Sequence, residues 1–95
     1  YREKMEKNRG MLFIFDYPDN YKFCMYKMSF PLDFIWIRNN RVIGLTPNVP
    51  PLSILTDYEE VPSFTATAEF DKVIELNAGE IRSCGIKIGE KIIFK

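Results

Sequence analysis

The shortness of its apolar runs limits this chain's folding options more than anything else. Met11 to Phe15, Leu32 to Ile37, Val42 to Leu45, Val73 to Leu76 and Lys91 to Phe94 are brief oil-rich stretches, each bounded by turn-forming residues. A buried helix wants about ten or more residues, whereas these pieces are short and rich in β-branched and aromatic side chains, so they read as strands.

With 95 residues there is room for one domain, spanning 1–95. The 46% hydrophobic content, with eight Phe and five Tyr, supplies one core. Thirteen basic and thirteen acidic side chains cancel, so no global field draws in nucleic acid or an anionic membrane. No run approaches the ~18 apolar residues of a membrane span. The lack of Gln beside abundant Ile and Lys points to a thermophile.

Tyr1 to Arg9 is charged and reads as two helical turns or a loop ending at Gly10. After the strand Met11–Phe15 comes turn chemistry at Asp16-Tyr17-Pro18-Asp19-Asn20. Tyr21 to Met28 is extended, Pro31 kinks the chain, and Leu32–Ile37 is a strand. Arg38-Asn39-Asn40-Arg41 makes a tight hairpin to Val42–Leu45, since Asn tolerates the positive φ of a two-residue loop. Pro47 to Pro62 is a proline-rich loop of the length that covers a core or forms a site. Its acidic Asp57, Glu59 and Glu60 read as solvated rather than as a calcium site. Ser63 to Leu76 is strand-like, followed by a helix of barely two turns with Asn77 as N-cap and Gly85 past its end. Ile86-Lys87-Ile88, a turn at Gly89-Glu90 and a last strand, Lys91–Lys95, finish the chain. The sum is a mostly β domain with an α+β tendency: a compact, barrel-like or rolled mixed sheet of six to seven short strands and one short helix in the C-terminal half.

The chain has no His, which removes every Ser-His and Cys-His nucleophile and most zinc spacings. Cys24 and Cys84 have no C-x-x-C neighbour and sit in apolar company, so two buried free thiols are preferred to a disulfide. No metal or cofactor motif is present.

One carboxylate interrupts the most apolar region, Phe23 to Ile37: Asp33, just after Pro31-Leu32. An anion there needs partners. Read structurally, Asp33 caps backbone amides where Pro31 breaks the strand, or pairs with a cation. Read functionally, it is an acceptor in a pocket lined by Phe23, Met25 and Trp36, with Lys27 near; catalysis would add a second titrating group from Asp16, Glu75 or Lys27. Tyr17, Tyr21, Tyr26 and Tyr58, in or beside loops, are the residues a carbohydrate face would use.

Several stretches together resemble a known family. GMLFIF (Gly10–Phe15), FCMYKMSFPLD (Phe23–Asp33), NVPP (Asn48–Pro51) and IELNAGEIRSCGIKIGEKI (Ile74–Ile92) follow, in order and spacing, the motifs of domain-of-unknown-function family 192, also called uncharacterised protein family 0127. The resemblance implies a small, mostly β domain of bacteria or archaea, often behind a signal peptide or anchor and hence extracytoplasmic, and it brings no activity. It also makes Arg2 the candidate cation for Asp33. Members usually carry an extra N-terminal strand ending in Gly-Leu-Met-Tyr-Arg; this chain begins within that motif, at Tyr1-Arg2. Where the signature has Trp, Lys, Asn and Thr, this chain has Cys24, Tyr26, Lys27 and Met28, and loss of the polar Asn-Thr pair counts against an enzyme.

The function expected is therefore a non-catalytic binding or interaction domain for a small ligand or a protein. Its groove lies between 23–33 and the 47–62 loop, with Asp33, Phe23, Met25, Lys27, Trp36 and Arg2 as binding candidates. The rivals are a small hydrolase or transferase using Asp33, a carbohydrate-binding module, and a homodimer built on a strand edge left open by the short N-terminus.

Overall fold

The computed structural model describes residues 10–24, 30–51 and 63–94, with the backbone alone at 24, 63 and 64. The readings made for 1–9, 25–29, 52–62 and Lys95 lie outside them. Six strands and one helix follow in chain order: β1 (Gly10–Asp19), β2 (Phe23–Cys24), β3 (Leu32–Arg38), β4 (Arg41–Val49), β5 (Ser63–Phe64), β6 (Phe70–Asn77) and α1 (Glu80–Cys84). Four of them form one antiparallel sheet in the order β1-β6-β3-β4, while β2 and β5 make a separate antiparallel pair. Among the described residues the larger sheet is open, with β1 and β4 outermost. Its pairings are all antiparallel, so the sheet is not mixed, and among the described residues it has four strands and does not close into a barrel.

β3 is the spine. Its residues from Leu32 to Ile37 are all buried because the sheet is covered on both faces there. Side chains alternate across a strand, so Leu32, Phe34 and Trp36 join Phe70, Val73 and Ala66 on one face, while Ile35 and Ile37 join Val42 and Ile81 on the other. The first face is aromatic: the Trp36 ring lies 4.8 Å from Phe70 and 5.6 Å from Phe34, centroid to centroid. The second is aliphatic and takes α1 and the partly buried Ile86 and Ile92. Each large apolar side chain buried here stabilises the fold by about 1.5–3 kcal/mol.

Local chemistry explains the joints. Asn39 and Asn40 have φ of 51° and 60°, so both residues of the β3–β4 turn adopt the left-handed form expected of them. β4 runs further than expected because two register shifts absorb its irregularities, one at Ile43 and one at Pro47-Asn48, where Asn48 has φ 55°. β1 likewise takes in the first four residues, Asp16–Asp19, of the expected turn. Its register with β6 is unbroken from Gly10 to Ile14 and then shifts before Asp19, and this bulge accommodates Pro18, which has no N–H to give the ladder.

Four further expectations are corrected. Ser63 to Leu76 is not one strand, since residues 65–69 leave the sheet between β5 and β6. The N-cap of α1 is Gly79 at φ 95°, not Asn77, which ends β6; Gly85 closes the helix at φ 68° as expected. The last strand reduces to one bridge between Arg41 and Lys91. Around it, Val42 and Ile92 amides donate to the Glu90 and Asn40 carbonyls at 2.8 and 2.7 Å, and Gly89 to Val42 at 2.7 Å. Cys84 is exposed with a free thiol, because Ile81 takes the buried face of so short a helix. The Cys24 side chain lies outside the described residues.

Candidate functional site

Asp33 sits on the central strand, fully buried. It pairs with Leu76 of β6 and shares the aliphatic face with Ile35 and Ile37. Three backbone amides donate to its carboxylate: Asn48 to Oδ1 at 2.9 Å, and Gly79 and Ile81 to Oδ2, each at 3.0 Å. Each donor is one the surrounding secondary structure leaves over. Asn48 is at the β4 bulge, where an extra residue falls out of the ladder. Gly79 and Ile81 lie at the start of α1, whose first amides have no intrahelical acceptor, and Gly79 has no side chain to cap them. Asp33 thus caps α1 from another strand and ties that end to the bulge where the chain leaves β4. Charge-assisted bonds of this kind answer the cost of burying an anion.

The two other candidates among the described residues do not reach it. Phe23 and Trp36 meet, with ring centroids 5.6 Å apart, but on the aromatic face, opposite to Asp33. The Trp36 indole N–H donates to Thr46 Oγ1 at 2.8 Å. Its ring lies so close to β4 that a Cβ built on Gly44 would come within 3.2 Å of Cδ1, which is why that position has no side chain. Met25, Lys27 and Arg2 lie outside the described residues, as do Tyr26 and Tyr58. Of the groups a catalytic reading would pair with Asp33, Glu75 is buried opposite Phe34 and so projects from the aromatic face, and Asp16 is in the β1 bulge with β6 between β1 and β3.

The partly buried Phe30 and Val49 pack against the aromatic face, and each belongs to one of the two segments expected to form a groove. Near the β1 bulge, Tyr21 stacks on Phe15 at 3.9 Å and donates its hydroxyl to the Tyr17 carbonyl at 2.6 Å. Desolvation first, and then the charges of Tyr17, Asp19 and Asp16, push its pKa above 10.0. Among the described residues no group of three His, Cys, Asp or Glu could hold a metal ion, and no helix is long and apolar enough to cross a membrane.

Sequence reading missed Thr46 and Asn48. A signal for Asn48 existed, since Asn before Val-Pro-Pro at a strand end is suited to positive φ. Nothing local marks Thr46 as the partner of Trp36.

The model for DUF192 (Uncharacterized ACR) matches residues 1–94. Two solved structures are similar at 27% identity. One, from Novosphingobium aromaticivorans DSM 12444, is described as a protein of unknown function; it superposes with a TM-score of 0.83 over 99% of this chain and 63% of its own. The other, from Sinorhizobium meliloti 1021 and described as "a putative transcription regulator", has a TM-score of 0.79 over 96% of this chain and 66% of its own. This chain therefore spans slightly less than two thirds of either. No curated protein matches it.

Proposed function

The chain belongs to the uncharacterised family DUF192, and from that premise we propose that it is a non-catalytic binding or interaction domain whose ligand, a small molecule or a protein segment, lies between 23–33 and 47–62. The observation that carries this reading is the Asp33 clamp. A carboxylate accepting three backbone amides inside the core has its oxygens directed at the protein, which argues against use as a base, nucleophile or ligand acceptor. It is well suited to positioning. Through Asn48, Asp33 fixes the bulge from which the 50–62 segment departs, so its role in recognition would be to set the geometry of one wall. The partly buried Phe23, Phe30 and Val49 supply apolar contact area at the rim of the aromatic face, as small-ligand and peptide sites commonly do.

A titration of the 15N-labelled protein with sugars, metals, nucleotides and short peptides tests this. A ligand should shift the amides of Phe23, Phe30, Thr46, Asn48 and Val49 together, with the side chain of Asp33 unavailable for direct contact. Shifts confined to another surface, or turnover of a substrate that Asp33→Asn abolishes while the fold is kept, would overturn the proposal.

A further inference from the structure

The two outer strands of the sheet are guarded very differently. β4 carries Pro47, two bulges and Arg41, and its first residues are paired by the chain at 89–92. These are the usual devices that stop a strand edge from recruiting another strand. β1 lacks them over its first half. From Gly10 to Phe15 there is no charge and no proline, and its register with β6 is unbroken to Ile14. Among the described residues β1 pairs with β6 alone. Its apolar side chains are exposed on both faces of the strand: Met11 at 37%, Leu12 at 40% and Ile14 at 67%. Phe94, beside Lys72 opposite Ile14, is exposed as well.

We propose that this edge is an interface with a second copy of the same chain, the two β1 strands pairing antiparallel about a twofold axis. A twofold at Phe13 would set Leu12 opposite Ile14 of the second copy on one face, and Met11 opposite Phe15 on the other, so the stretch is apolar against itself in its own register. Charge favours a like partner: the edge is uncharged and the whole chain has a formal net charge of zero, so two copies meet without repulsion. The bulge and Asp16 and Asp19 end the pairing beyond Phe15, which limits the assembly to a short contact. Five paired residues on each strand, Met11 to Phe15, with these side chains fall below the ~1,200 Å² of a standard interface, so the dimer is weak, with Kd on the order of 10–100 μM.

Sedimentation of the chain from roughly 5 μM to 1 mM spans that range. The expected result is a monomer converting to a dimer. Ile14→Lys, at a side chain mostly in water, should raise Kd at least about tenfold, because each new ammonium would lie directly opposite Leu12 of the second copy and diagonal to the other lysine, whereas Ile88→Lys, equally exposed elsewhere, should leave it unchanged. Amide exchange at low and high concentration gives a readout on the unmodified protein, with β1 amides slowing as the dimer fills. A monomer throughout, a dimer indifferent to Ile14→Lys, or β1 protection independent of concentration would each overturn the inference.

Discussion

Replacing Asp33 tests the central feature of the molecule. Asp33→Ala removes three acceptors at once. A hydrogen bond to a charged group contributes about 1.5–3 kcal/mol, and an amide left unsatisfied in the interior costs about 1–3 kcal/mol. The three donors are not equivalent: Asn48 and Gly79 are exposed residues whose amides water can reach in part, whereas Ile81 is buried. The bonds share one carboxylate and do not add, so the net loss should be about 3–5 kcal/mol, a large part of the roughly 5–15 kcal/mol holding such a domain together. Asp33→Asn keeps one carbonyl oxygen. Turned toward Gly79 and Ile81 it preserves two bonds, but its NH2 then faces the Asn48 N–H, and the loss should be about 2–3 kcal/mol. Urea unfolding with an unchanged m-value measures both, and hydrogen exchange locates them: in the Asn variant the Asn48 amide should exchange faster while Ile81 stays protected. A loss below about 1 kcal/mol for Asp33→Ala would refute the clamp.

Two further substitutions probe the aromatic face and its rim. Gly44→Ala pushes a methyl to 3.2 Å from the indole and should destabilise by about 1–3 kcal/mol, with a shift in emission from the single Trp; unchanged emission would mean that the ring is not held against β4. Tyr21 should titrate later than an ordinary tyrosine. Its folded pKa lies above the unfolded value, so the stability this contributes is present below about pH 10 and is lost as pH rises through the folded pKa. The difference between ultraviolet titrations of wild type and Tyr21→Phe should have its midpoint above 10.0, and a midpoint at or below that value contradicts the packing described.

Much of the fold was legible because it depends on local rules. The Asn39-Asn40 turn follows from which residues tolerate positive φ, and Gly85 from the need for a left-handed residue where a helix stops. Once Leu32–Ile37 is a strand, parity alone separates Asp33 from Trp36, since odd and even positions face opposite ways. The expected pocket joined them by treating the segment as an apolar mass rather than as a strand with two sides. Bulges were harder to foresee. Asp16–Asn20 and Pro47-Asn48 carry turn residues, and the ladder tolerated them by shifting register instead of ending.

The sequence by itself determined that this is one small, mostly β domain, which family it belongs to, and that an anion in its most apolar stretch must be compensated. Only the tertiary structure decided how. The three amides that bind Asp33 lie 15, 46 and 48 positions away, at a bulge and a helix start that neighbouring residues do not specify. A side chain's partners at such separations are chosen by which strands pair, and pairing is a cooperative property of the whole sheet. The same holds for the edges: composition is identical whichever strand is outermost, and the order β1-β6-β3-β4 alone put β1 and β4 at the two sides of the described sheet.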